Sequence, residues 1–446
     1  MFEFLEKYLM GPMTKISQFR LVRAITAAGM ASIPFTIVGS MFLVLNVLPT
    51  VITPLQGFYD RTLVNITDVY MLANMATMGI IALYFLIVIG YEYTRIIAEE
   101  EDLDLSPITG TLLSLFGFIM LVPQFAKEEG FSLLNDAKNG IINGWEIGSA
   151  PSRFGAIGIF TAIIVGYVAV NIYRLCVQKN IVIKMPDAVP PGVANSFTAL
   201  IPTFFIALSI MIVNAILVSL GTDIFGVIAI PFGFVTNIAG SWLGLMVIMF
   251  LISALWLVGI HGATIITSML VPIVLYNMEQ NAAGANIPLA GEFYNAYINL
   301  GGSGGTLGLI VLLAFFSKSE QFKMLGKAAL VPGLFNINEP IIFGLPIVYN
   351  PYFALPFIFG PMITSSIAYF AIKFEIVKPL IAQQPWPTPL GIGAFIGTGG
   401  DWKAAVLALV CAAVSCLIYY PFFKKRDMEL FKEEQAAEKE ISVNEN

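Results

Sequence analysis

The chain has 446 residues, 57% of them hydrophobic and only 12% charged, and its formal net charge is −6. Soluble domains carry about 25% charged residues, so this composition, with 35 phenylalanines and 18 methionines, excludes a water-soluble globule, and the modest acidic balance argues against a nucleic-acid partner. The solvent such a chain needs is the lipid bilayer, and at roughly 20 residues per crossing its length allows about ten spans.

Residues 1–20 are amphipathic, with Phe2, Leu5, Leu9 and Phe19 among Lys7, Lys15 and Arg20. They lack the pattern of a cleavable signal and read as an interfacial anchoring helix. Five apolar stretches follow, at about 22–48, 69–93, 106–125, 154–177 and 193–220. Lys7, Lys15, Arg20 and Arg23 precede the first of them and put the N-terminus in the cytoplasm. Alternation then carries the loop holding Lys127, Lys138 and Arg153 outside, against the positive-inside rule. Arg174, Lys179 and Lys184 return inside, and Lys424, Lys425 and Arg426 set the C-terminus there too.

No Lys or Arg occurs between Met185 and Ser317, where the acids are Asp187, Asp223, Glu279 and Glu292. Residues 221–240 are interrupted by glycines and Pro231, and read as an amphipathic connector along the membrane. Residues 1–220 thus form a first transmembrane domain, 241–423 a second, and 424–446 a charged cytoplasmic tail. In the second domain, the apolar stretches 241–260, 305–316, 351–372 and 403–423 could span. The pieces 262–276, 328–348 and 386–400 are short and broken by Pro or Gly, as re-entrant segments are. Irregular backbone at membrane depth is tolerated where it lines a cavity, so the functional site is expected here. The fold class is all-α: a polytopic membrane protein of two domains.

The most informative run is Pro332 to Pro346. Glu339 stands in it between Asn338 and Pro340, with Asn336 just upstream. Pro340 disfavours helix at the residue before it, so the backbone is expected to open at Glu339. A carboxylate in the bilayer is costly unless paired or wetted; it either caps a structural break or accepts hydroxyl hydrogen bonds from a polar solute. His261 is the only histidine. It is either a satisfied core residue or a ligand contact, the latter favoured by Gly259 and Gly262, which let a ligand approach the backbone. Trp256 and Trp386 are interfacial belt residues or flat apolar faces for a sugar ring.

The three cysteines, Cys176, Cys411 and Cys416, have neither metal-ligand nor redox spacing. With one histidine, a metal site is not expected, nor any cofactor. Gly301 to Gly305 lacks the Lys-Ser/Thr ending of a phosphate loop, and Ile396 stands where a dinucleotide fingerprint opening at Gly391 needs glycine. Asp401 reads as a helix cap.

The runs Gly259-Ile260-His261-Gly262, Phe335 to Pro346 and Pro385-Trp386, followed by Gly399-Gly400-Asp401-Trp402, resemble the lactose/cellobiose/diacetylchitobiose family of phosphotransferase-system enzyme IIC proteins. The likeness is strong over about 250–405, with Trp386-Pro387-Thr388-Pro389 where the family commonly shows Trp-Thr-Thr-Pro. It implies ten transmembrane helices, a homodimer built by the first half, and a mobile second half with two re-entrant hairpins that carry His261 and Glu339. It implies that these two residues bind the hydroxyls of a β-linked disaccharide and serve its phosphorylation, with Asn336, Asn338, Trp256 and Trp386 as further binding residues. It further implies that the phosphoryl donor is a phosphocysteine on a separate IIB protein, charged in turn by IIA, and that the chain is the permease component of the phosphotransferase. Broken helices and a midplane carboxylate also suit an ion-coupled secondary sugar transporter, which is the alternative reading.

Overall fold

Charged side chains at helix ends set the frame of the bundle. In the computed structural model, which describes residues 11–127, 131–146, 153–186, 189–345, 347 and 350–444, helices α1 (Arg20–Val51), α2 (Ile81–Glu101), α3 (Pro107–Leu121) and α4 (Gly158–Gln178) form the core of the first half. Arg20 and Arg23 of α1 and Arg174 of α4 close on Glu100 and Glu101 of α2, with every pair at 2.6 Å. Exposed pairs of this kind add little stability, but they bring three helix ends to one level, here termed the Arg20 end. At the other end the Ala82 amide donates to Phe154 O at 2.8 Å. Arg153 there donates to Val122 O at 3.0 Å, pairs with Asp223 and lies 4.6 Å from the Phe225 ring centre. The loop holding Lys127, Lys138 and Arg153 is therefore opposite Arg20, as alternation requires, and its Arg153 is neutralised by Asp223. The first half of the expected anchoring segment, with Phe2, Leu5, Lys7 and Leu9, lies outside the described residues, as do Asp187 and Pro346.

Within lipid, helices associate through close packing of small residues rather than through a hydrophobic drive. A Cβ on Gly90 would fall 2.9 Å from Thr111 Cα, and one on Gly308 would fall 2.5 Å from Cys416 Cα. The same geometry displaces one expected span. The stretch 69–93 is not one helix: a short helix, Thr67–Met75, stops just before Thr77, whose hydroxyl turns back to Ala73 O at 2.6 Å beneath Gly39, and the long helix starts only after this break. Two small antiparallel strand pairs, Phe125–Lys127 with Phe131–Leu133 and Ile141–Ile142 with Trp145–Glu146, depart from an all-α fold at the Arg153 end.

The connector expected at 221–240 is one helix, α6 (Ile224–Ala239), which continues through Pro231. It follows α5 (Leu200–Ser219) and meets α7 (Trp242–Leu257) at a 73° bend. Asp223 caps α6, accepting from Gly226 N at 2.9 Å. The expected short piece 262–276 is instead a 21-residue helix, α8 (Gly262–Ala282), with Pro272 inside it. Packing sustains it: Thr26 and Ser268 share a hydroxyl hydrogen bond at 3.2 Å, and Gly29 faces Val271. Both contacts advance in the same direction, so α8 runs parallel to α1 from the Arg20 end. At its far end Glu279 accepts from Ala156 N at 3.0 Å.

The remaining helices are α9 (Leu307–Phe316), α10 (Glu320–Leu334), α11 (Glu339–Gly344), α12 (Pro351–Lys373), α13 (Ile392–Gly397) and α14 (Trp402–Asn444). Asp427 of α14 accepts from the amides of Lys318 and Ser319 at 3.0 and 3.1 Å. Glu434 accepts from the amides of Glu320 and Gln321, both at 3.1 Å. Lys425 and Arg426 lie 5.4 and 5.7 Å from the Tyr352 ring centre. Segment 318–352 thus leaves and rejoins one stretch of α14, which makes it a re-entrant hairpin with its break at 335–338.

A second hairpin enters from the opposite end. Lys378 N donates to Asp401 at 2.9 Å, and the amides of Ile381 and Ala382 both reach Gly397 O, at 2.8 and 3.1 Å. The 23 residues of α12, about 35 Å at 1.5 Å per residue, separate the mouths of the two hairpins. Among the described residues seven helices are long and apolar enough to span, and the bent pair α6–α7 passes the same test as one span. The expected ten is reached only when the shorter apolar helices α3 and α9 are counted with them.

Candidate functional site

The tips of the two hairpins and the α7–α8 turn carry every residue singled out in the sequence. At that turn Gly259, with φ 81°, ends α7 in a left-handed conformation open to glycine. A Cβ on Gly262 would fall 2.3 Å from Ile252 O. The two glycines therefore serve a turn and a helix contact, rather than the ligand approach expected of them. His261 caps α8, its Nδ1 accepting from Thr264 N at 3.1 Å and lying 2.8 Å from the Thr264 hydroxyl. Because the backbone N–H can only donate, Nδ1 is the acceptor and the neutral ring carries its proton on Nε2. The exposed imidazole therefore offers an N–H outward. Its ring centre lies 4.3 Å from that of Trp256. Trp256 is buried, 7% exposed, and its Nε1 has no hydrogen-bond partner among the described residues.

At the tip of the first hairpin the chain leaves α10 through Asn336, at φ 62°, and re-forms as α11 with Glu339 as its first residue. The helix begins at Glu339 rather than opening there, because a proline second in a helix forfeits no intrahelical bond. The break falls just before it. Asn336 Oδ1 accepts from Gly301 N at 3.0 Å, and its Nδ2 donates to Trp386 O at 2.8 Å and Thr388 O at 3.2 Å. Asn338 Nδ2 donates to Ser303 O at 2.7 Å and to Thr306 Oγ1 at 2.8 Å. A Cβ on Gly302 would fall 2.2 Å from Asn338 Cγ, which explains the glycine-rich run. Both asparagines are buried. They tie loops together, and their amide donors are engaged by backbone carbonyls and the Thr306 hydroxyl. Glu339 is exposed, and among the described residues its carboxylate has no hydrogen bond or ion pair.

The site residues therefore fall into two groups, Trp256 with His261, and Glu339 with the Asn336, Asn338 and Trp386 scaffold. Among the described residues no side-chain hydrogen bond, ion pair or ring contact joins them. His261 lies on the α7–α8 turn toward the Arg20 end, rather than on a re-entrant hairpin as expected. Trp386, 47% exposed, comes from the opposite side. Trp386 offers an exposed aromatic face, His261 an imidazole N–H donor and Glu339 a free carboxylate, each of a kind that suits a polyhydroxylated ligand. Among the described residues no cluster of three His, Cys, Asp or Glu side chains is arranged to hold a metal ion.

A further polar group holds Gln383, three residues before Trp386. The Glu292 carboxylate accepts from the side-chain amides of Gln383 and Asn295, and Asn295 in turn accepts from Asn299 at 2.8 Å. Gln383 N donates to Ser40 Oγ of α1 at 2.7 Å. These residues were not selected from the sequence, although Glu292 stood out among the acids of the Lys/Arg-free stretch and the 383–388 run is polar for its surroundings.

A family model described as "Phosphotransferase system, EIIC" matches residues 27–361. The oligo-beta-mannoside-specific EIIC component of Bacillus subtilis is 32% identical across 100% of this chain and 99% of its own. The cellobiose-specific EIIC component of Geobacillus stearothermophilus is 34% identical, covering 97% of this chain and 95% of its own. The crystal structure of ChbC, the IIC component from the N,N'-diacetylchitobiose-specific phosphotransferase system, superposes with a TM-score of 0.85 at 32% identity, over 97% of this chain and 99% of that one.

Proposed function

This chain belongs to the phosphotransferase-system EIIC family and is a sugar permease of the membrane, and we propose that it imports a β-linked disaccharide, cellobiose or diacetylchitobiose, while a phosphorylated IIB protein modifies it. The observation that carries this reading is Glu339, an exposed carboxylate at the tip of a re-entrant hairpin. A carboxylate at such depth is costly unless wetted or bound, and sugar hydroxyls are its natural donors. The disaccharide sits between the two groups. Trp386 and Trp256 supply apolar faces, His261 Nε2–H donates to a hydroxyl oxygen, and the orphaned Trp256 N–H takes another. Asn336 and Asn338 hold the loops that shape the pocket.

In the reaction the sugar hydroxyl oxygen attacks phosphorus of the IIB phosphocysteine. The S–P bond breaks, the thiolate leaves with IIB, and Glu339 accepts the hydroxyl proton. Added phosphate carries about −1.5 to −2 charges, so the product does not recross the bilayer. Access alternates by movement of the second half against the first, breaking hydrogen bonds such as Thr26–Ser268 and Glu279–Ala156. The protein works as a homodimer through its first half, with both termini cytoplasmic and IIA upstream of IIB.

Vesicles containing the purified protein test this. Uptake of labelled cellobiose or diacetylchitobiose is expected to require internal IIB, IIA and phosphoenolpyruvate, and to deliver sugar phosphate. Uptake that follows a proton or sodium gradient, with unmodified sugar inside, would assign the chain to secondary transport instead.

A further inference from the structure

The Trp386 loop is pinned at separate points. Asn336 holds the carbonyls of Trp386 and Thr388, Ser40 holds the backbone of Gln383, and Glu292 holds its side chain. The last contact has a directional consequence. A carboxylate only accepts, so it draws the Gln383 amide with its NH2 group inward. The Gln383 carbonyl oxygen is thereby turned the other way, and it is buried with no partner among the described residues. Gln383 is itself only 8% exposed, and a buried acceptor left unpaired costs about 1–3 kcal/mol. Asn295 occupies the other Glu292 oxygen, so the carboxylate holds both amides in one fixed sense.

We propose that Glu292 is a positioning residue for sugar recognition: by fixing the Gln383 amide it presents an acceptor, not a donor, three residues from Trp386. The ligand group this selects is a hydroxyl that donates. The inference rests on the reading of Trp386 as a sugar platform, and it adds to the Glu339 carboxylate a second acceptor, on the Trp386 loop. Ser40 belongs to the first half, so the same glutamine also links the pocket wall to the opposing domain.

The test uses equilibrium binding to the purified full-length protein, with whichever of cellobiose and diacetylchitobiose binds more tightly, and its monodeoxyfluoro analogues. Fluorine cannot donate a hydrogen bond, so in the wild type, besides the analogue that loses the bond to Glu339, a second analogue is expected to bind about tenfold or more weakly through loss of the bond to Gln383. Glu292→Gln offers its own NH2 to Gln383 and lets that amide reverse. It is expected to bind the parent sugar more weakly and to lose the penalty at that position alone. Gln383→Ala, which leaves Glu292 with Asn295, is expected to lose the same penalty and serves should Glu292→Gln fail to fold. An unchanged pattern of fluorine penalties in the folded variants would overturn the proposal. Trp386→Ala separates the two readings: wild-type affinity in that variant would refute the platform itself, whereas weakened binding there with unchanged penalties in the Glu292 and Gln383 variants would refute only the positioning role.

Discussion

Asn336 and Trp386 join hairpins that enter the bundle from opposite ends, through one side-chain N–H bonded to one backbone carbonyl at 2.8 Å. The same amide bonds Thr388 O and Gly301 N, so a single side chain sets the spacing of three loops. Asn336 also sits at φ 62°, a conformation that asparagine and glycine tolerate and alanine resists. Asn336→Gly removes the bonds but keeps the backbone free, whereas Asn336→Ala removes the bonds and adds strain. Both are expected to lower the melting temperature and weaken sugar binding, with the alanine variant lower by about 1 kcal/mol of stability. Thermal unfolding in detergent measures this; equal stability of alanine variant and wild type would remove the asparagine from its bridging role.

The two tryptophans should behave differently. Trp256 is 7% exposed and Trp386 47% exposed. Truncating a buried tryptophan costs about 3–5 kcal/mol, so Trp256→Ala is expected to lose stability as well as affinity. Trp386→Ala is expected to weaken binding on the order of 1 kcal/mol while the melting temperature holds. Calorimetric binding and unfolding, run on both, separate the roles; a stability loss in Trp386→Ala comparable to that in Trp256→Ala would make it a packing residue.

Thr264 holds the His261 ring through Nδ1. Its amide and hydroxyl both sit at Nδ1 and fix the outward N–H. Thr264→Val keeps the backbone donor and removes the other. A severalfold weakening of sugar binding is expected, smaller than that of His261→Ala. If Thr264→Val binds as weakly as His261→Ala, the hydroxyl rather than the imidazole is the ligand contact.

Much of this architecture was legible in the sequence, and the misses share a cause. Long apolar runs gave α1, α4 and α12 nearly to their ends, because composition alone decides what enters lipid. Segment 69–93 failed because the break at Thr77 depends on Gly39, a contact across helices that no local pattern records. Pro272 suggested a broken piece, but packing against α1 carries α8 through it. Asn336, Asn338 and Glu339 were visible as polar residues in an apolar run. That the amides build loops while the carboxylate stays free is a matter of pairing, and pairing requires coordinates. Glu292 was visible as an acid without a cation; its partner lies 91 positions away.

The orientation of the bundle follows from its two ends. Arg20, Arg23 and Arg174 share one end and the strand-bearing loop lies at the other; Asn281, at the far end of α8, donates to Leu380 O at 3.1 Å, so α14 starts at the loop end and carries its basic stretch to the Arg20 end. With Cys176, Cys411 and Cys416 replaced, Asn139→Cys is expected to react with an impermeant maleimide on intact cells, and Gln435→Cys only after lysis. Labelling of Gln435→Cys from outside would invert the topology.

The central claim is that Glu339 binds and activates the sugar hydroxyl, and Glu339→Gln tests it most directly. The substitution keeps shape and one acceptor oxygen but removes the charge. Equilibrium sugar binding on purified protein, followed by phosphorylation with added phosphorylated IIB, gives two readouts. Binding is expected to weaken by roughly 1.5–3 kcal/mol, the worth of a hydrogen bond to a charged group. Phosphorylation is expected to fall further than binding, because the proton acceptor is lost. Wild-type values for both would contradict the assignment and reduce Glu339 to the first residue of a short helix.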